Sequence, residues 1–148
     1  MLKLIEKTSP VAAVRGTVTL GYEQRIRSRL RVTLDDGSDA GLFLERGLTL
    51  RDGDCLRAET GEIVRVVAAA EILSSVRSED PLAFARACYH LGNRHVPLQI
   101  EAGRLCYPHD HVLDDMLRCM GFEVSTESLP FEPESGAYGG YTHAPHGH

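Results

Sequence analysis

Seven histidines fall between His90 and His148, and none precedes them. Three of these form the clearest chemical grouping. His95 follows the polar run Gly92-Asn93-Arg94, and His109 and His111 flank Asp110. Near neutral pH an imidazole is largely uncharged and offers a ring nitrogen to a borderline transition ion, while aspartate adds a harder oxygen. This donor set suits nickel, copper, zinc or cobalt better than magnesium or calcium. A lone loop histidine more often serves as a surface or capping residue, so His95 alone is a weak signal. His109 and His111 are two residues apart. They would face different sides of a helix but the same side of an extended segment, so joint chelation requires His109 to precede a helix that Asp110 caps. Capping is the favoured role for Asp110. His143, His146 and His148 occupy the end of the chain, where a short flexible segment could lend an imidazole or remain solvated polymer. His90 stands near the end of an expected helix, where it complements the helix dipole.

Cys55, Cys88, Cys106 and Cys119 show no CxxC pair and no compact disulfide spacing, so they read as reduced thiols outside the primary ligand set. The charge is uneven. Up to Ala70 there are 11 basic and 10 acidic residues, net +1, and from Glu71 onward 5 and 11, net −6. An acidic, histidine-bearing half attracts cations. The 148 residues are 43% hydrophobic, enough to bury a core. Lys3, Glu6 and Lys7 interrupt the N-terminus before any run reaches signal-peptide length, and no later stretch would span a bilayer. A soluble cytoplasmic protein with no membrane contact is expected.

Strand and turn signals fill the first half. Thr17–Leu20, Leu30–Leu34, Ala40–Leu44, Cys55–Ala58 and Ile63–Val67 are β-rich, with turns at Asp36-Gly37 and Thr60-Gly61. Arg25, Arg27, Arg29 and Arg31 alternate as if four guanidinium groups shared one strand face. Without interleaved aromatics this reads as a solvated face, and nucleic acid is not expected as a partner. From Glu71 the pattern changes. A strand at Glu71–Val76 precedes a helix capped by Asp80-Pro81, with Phe84, Cys88 and Leu91 as its apolar stripe and Gly92 as its stop. Val96, Leu98 and Ile100 alternate as a strand, paired through a turn with Arg104–Tyr107. A second helix buries Val112, Leu113, Met116, Leu117 and Met120 and stops at Gly121, before a last strand marked by Phe122, Val124 and Thr126. The order β-α-β-β-α-β is ferredoxin-like. The expected fold is therefore α+β: an all-β barrel or sandwich over residues 1–70, a ferredoxin-like domain over 71–136, and a flexible tail with histidines over 137–148.

The segments GNRHVPLQI, HDHVLDDMLR and LPFEPESGAYGG, in that order, resemble the UreE family of urease accessory proteins, which are nickel metallochaperones. The resemblance is strongest from about Asp80 to Gly140. It implies a homodimer in which His95 meets its counterpart across a two-fold axis to share one metal ion, with His109 and His111 as secondary ligands. Where members of the family often carry a further histidine, this chain has Pro108, implying a secondary site of different shape. His143, His146 and His148 correspond to a shortened form of the family's histidine-rich extension. Further implications are Ni²⁺ as cargo, with Zn²⁺ or Cu²⁺ able to occupy the same positions, and a urease apoprotein complex and a urease accessory GTPase as partners. The N-terminal domain would contact protein partners. Two other readings remain at this stage: a metal-dependent hydrolase built on His-Asp-His, and an interaction scaffold whose histidines are incidental. No nucleophile elbow or additional ligand arrangement around His-Asp-His favours the hydrolase.

Overall fold

The computed structural model describes residues 1–136, and the expected tail with His143, His146 and His148 lies outside them. The chain divides into two compact units, the first Met1–Ala69 and the second beginning at Ala70.

The first unit is a six-stranded sheet curled into a nearly closed barrel. Its strands are β1 (Leu2–Thr8), β2 (Gly16–Leu20), β3 (Arg29–Thr33), β4 (Asp39–Phe43), β5 (Cys55–Ala58) and β6 (Ile63–Ala68), in the order β2-β6-β5-β1-β4-β3. Inward positions such as Leu4, Val18, Leu42, Leu56, Val64 and Val66 form its core. The two edges, β2 and β3, are joined by Asp35, which directly follows β3 and Leu34. Its backbone N–H donates to the Thr17 carbonyl (2.9 Å), and its carboxylate accepts from the Thr17 and Thr19 hydroxyls at 2.6 and 2.9 Å. These bonds hold the Asp35 carboxyl below its ordinary range, the Thr17 hydroxyl having the largest effect.

The expected face of four arginines does not form. Tyr22–Arg25 make a helical turn, α1, that ends the alternation before β3 starts. Arg25 is fully buried, its guanidinium donating to the Leu20 and Leu50 carbonyls at 3.2 and 3.1 Å. A buried guanidinium must be met by acceptors, so Arg25 ties the end of β2 to the backbone at Leu50, leaving Arg29 and Arg31 on the strand. Strand β1, absent from the sequence reading, lies between β5 and β4.

The second unit contains β7 (Ala70–Arg77), α2 (Pro81–Asn93), β8 (Gln99–Glu101), β9 (Arg104–Pro108), α3 (His111–Cys119) and β10 (Ser125–Pro130). The sheet order β10-β7-β9-β8, antiparallel throughout, is that of a ferredoxin-like fold. Val76, Leu105 and Tyr107 of the sheet form one core with Ala87 and Leu91 of α2 and Leu117 of α3. After β10 the chain continues to the opposite edge, where the Glu132 N–H donates to the Gln99 side chain and the Glu134 N–H to the Leu98 carbonyl. Phe131 is fully buried on the way.

Four expectations about elements need correction. Of the residues expected to mark the last strand, Phe122 and Val124 precede β10, which starts at Ser125, although both pack against the core. The strand expected from Val96 starts only at Gln99, because Pro97 has no N–H for a ladder, although Leu98 is buried and Val96 packs against the core. On α3, Val112 is 72% exposed and Met120 lies beyond the last turn, while Asp114, which was not expected inside, is 2% exposed. Finally, α2 runs through Gly92 to Asn93, so that glycine is not its stop.

Candidate metal centre

Asp80 accepts from the Leu82 and Ala83 backbone N–H groups to start α2. The helix ends in a Schellman motif: the His95 N–H donates to the Gly92 carbonyl at 3.0 Å and the Val96 N–H to the Leu91 carbonyl at 3.3 Å. The residue that takes the left-handed conformation is His95, with φ of 59°, the one non-glycine with positive φ among the described residues. Helix α3 ends in the same pattern, the Gly121 N–H donating to Arg118 and the Phe122 N–H to Leu117, but there a glycine takes the left-handed position at φ 97°. A non-glycine in this region costs about 1–2 kcal/mol. The bonds to Gly92 and Leu91, together with the packing of Val96 against the core, fix the backbone from which the exposed His95 side chain projects.

The opposite wall is built by the end of β9 and the start of α3. Asp110 is the N-cap of α3, its carboxylate accepting from the Val112 and Leu113 N–H groups at 2.9 and 3.1 Å, which matches the capping role read from the sequence. His109 therefore precedes the helix and His111 begins it. The two rings face different neighbours. His111 Nε2 lies 3.8 Å from Asp115 on the next turn and is largely exposed. His109 turns Nδ1 inward, 3.1 Å from the Ser74 hydroxyl and 3.3 Å from Asp114 Oδ2. Asp114 Oδ1 accepts from Ser74 Oγ at 2.6 Å and from Tyr107 Oη at 2.7 Å. Burial, and then donation to Asp114, push the Tyr107 phenol far above its ordinary value, so it remains a donor. Sequence reading missed Asp114 and Ser74.

His95 and His109 meet at one shallow cleft of about 300 Å³, lined on one side by Arg94–Pro97 and on the other by Pro108–Asp110 and Leu113. His111 is outside this lining. Among the described residues no group of three or more histidine, cysteine or acidic side chains is close enough to enclose an ion. One copy of the chain thus presents two exposed borderline donors in one cleft, an open arrangement unlike a closed structural site. Cys88 and Cys106, held above ordinary thiol values by burial, are poor thiolate donors. No helix among the described residues is long and apolar enough to cross a membrane.

Comparison with known proteins supplies the wider context. Residues 3–69 match the model of the UreE urease accessory protein N-terminal domain, and residues 71–148 that of its C-terminal domain. A urease accessory protein UreE from Alkalilimnicola ehrlichii is 61% identical over 140 residues, covering 95% of this chain and 86% of the relative. One from Pseudomonas putida strain W619 is 57% identical, covering 97% and 90%. One from Escherichia coli O157:H7 is 55% identical over 149 residues, covering 100% and 96%. Two family domains matched in order across nearly the whole length, on a barrel followed by a ferredoxin-like fold, lead to one conclusion: the chain belongs to the UreE family of urease accessory proteins.

Proposed function

We propose that this chain is a nickel carrier, not an enzyme, that acts in the cytoplasm as a homodimer and delivers Ni²⁺ to apo-urease. Its principal ion is held by His95 from each subunit across a two-fold axis, a symmetry that draws two donors from one position. His109 and His111 supply a secondary site, and Zn²⁺ or Cu²⁺ competes for the same imidazoles. The observation that carries this reading is the pair of exposed imidazoles, His95 and His109, on the walls of one open cleft. Few, exposed ligands can be exchanged one at a time for those of an acceptor, whereas a closed four-ligand site releases its ion slowly. The urease apoprotein complex and the urease accessory GTPase are the proposed partners, with residues 1–70 as the contact module.

The last described residues support a contribution from the tail. The Glu134 bond to Leu98 anchors the chain two residues from Val96 and three from His95 in sequence. From the segment that follows, His143, His146 or His148 would lend a further imidazole to the principal ion.

Calorimetric titration with Ni²⁺, with molecular mass measured on the same samples, tests the proposal on the intact protein, His95→Ala and a chain ending at Gly136. About one tight ion per dimer, lost in His95→Ala, is expected. Survival of that ion in His95→Ala overturns the ligand assignment, and its loss only on tail removal moves the site to His143, His146 and His148. Saturable, Ni²⁺-dependent ester hydrolysis lost in His109→Ala would instead favour the hydrolase.

A further inference from the structure

We infer that Asp114 is a positioning residue that holds His109 in the tautomer protonated at Nδ1, so that Nε2 is the atom offered to a metal ion. The argument is a count of protons. Ser74 has one hydroxyl proton, and it is committed to Asp114 Oδ1 at 2.6 Å. Tyr107 gives its own proton to the same oxygen at 2.7 Å. The second carboxylate oxygen, Oδ2, is an acceptor facing His109 Nδ1 at 3.3 Å, and the Ser74 oxygen, its proton spent, is a second acceptor 3.1 Å away. With acceptors alone on that side, Nδ1 must carry hydrogen, and the lone pair of the neutral ring is then on Nε2. The Asp114 carboxyl group is almost fully buried, whereas His109 is about half exposed, so the ring is fixed from inside and open outside.

The arrangement is built from distant parts of the chain. Ser74 and Tyr107 are direct cross-strand neighbours on β7 and β9, and Asp114 comes down from the first turn of α3 onto both. The His109 backbone is also tied to β7 by its N–H bond to the Ile72 carbonyl. A carboxylate behind an imidazole orients the ring and raises its basicity as a metal ligand, and removing such a partner commonly weakens affinity 10–100-fold.

Asp114→Asn is the informative change. The carboxamide has one oxygen, which the Ser74 and Tyr107 hydroxyls claim, so its NH₂ replaces Oδ2 opposite His109. Nδ1 must then accept, and the proton moves to Nε2, where it blocks coordination. Two-bond ¹H–¹⁵N correlation spectra of the full-length, metal-free protein, recorded where the ring is neutral and assigned with His109→Ala, read the tautomer directly. The expected result is Nδ1–H in the wild type and in Ser74→Ala, where Oδ2 remains, and Nε2–H in Asp114→Asn. Titration with Ni²⁺ alone should show the ion lost in His109→Ala bound 10–100-fold more weakly by Asp114→Asn, with the ion lost in His95→Ala unaffected. An Nε2–H wild type overturns the inference whether or not the Asn variant folds, as does an unchanged tautomer in a folded Asp114→Asn. The effect on nickel rests on the proposed ligand role of His109, but the tautomer does not. If His109→Ala leaves every nickel site intact while the spectra behave as expected, the ligand role fails and the positioning stands.

Discussion

His95 performs two tasks. It stops α2 in a conformation that favours glycine, and it presents an imidazole to the cleft. His95→Gly relieves the left-handed strain of about 1–2 kcal/mol but loosens the unfolded chain by about 0.5–1 kcal/mol, for a net gain of about 0.5–1 kcal/mol. His95→Val, with a β-branched side chain at positive φ, should lose about 1 kcal/mol or more. Urea unfolding should therefore move in opposite directions in the two variants, while calorimetry finds the tight nickel ion absent from both. The motif and its position after the helix were legible in the sequence, but the conformation was not. Gly92 looked like the stop because glycine is the usual left-handed residue, yet nothing prevents a glycine from continuing a helix for one more residue. Asp114 was hidden for a different reason. It sits between Leu113 and Met116 on an amphipathic helix, where a carboxylate reads as exposed, and its partner Ser74 lies 40 residues away.

At the scale of elements, periodicity identified most strands and both long helices, because the apolar positions of each fall on one face. It failed where charge or proline masked the pattern. Strand β1 alternates only through Leu2 and Leu4 before Glu6 and Lys7 interrupt it, and its place between β5 and β4 depends on long-range pairing. The arginine alternation misled because α1 breaks it at Arg25. The joint between β2 and β3 also depends on tertiary contact, and it carries a pH signature. Hydrogen bonds from Thr17 and Thr19 lower the Asp35 carboxyl in the folded state, so its contribution is present above the ordinary carboxylate range near pH 4 and disappears as pH falls through the lowered value. Asp35→Asn does not titrate. Residue-resolved unfolding at the β2 amides should show a flatter acid branch in Asp35→Asn than in the wild type, and equal slopes would mean the latch contributes no pH dependence.

Across the whole molecule, the order of elements was sufficient to recognise an α+β chain ending in a ferredoxin-like fold, because six alternating segments with short connections leave few topologies. The path after β10 was not legible: FEPES reads as loop, but Phe131 is fully buried and Glu132 and Glu134 bond across to Gln99 and Leu98. A chain ending at Gly136 should melt as the intact protein does. One ending at Pro130 loses a buried phenylalanine, worth about 3–5 kcal/mol when truncated to alanine, and should melt markedly lower or fail to fold. Thermal unfolding of the two truncations distinguishes these cases.

That return path also bears on self-association. A sheet polymerises edge to edge only if each copy offers two usable edges, one to give and one to receive. Here β8 has three residues, and chain 132–134 already bonds to Gln99 and to the adjacent Leu98, which leaves β10 as the longer, less obstructed edge of that sheet. Copies that met through β10 alone would form a closed antiparallel pair, not a growing fibre.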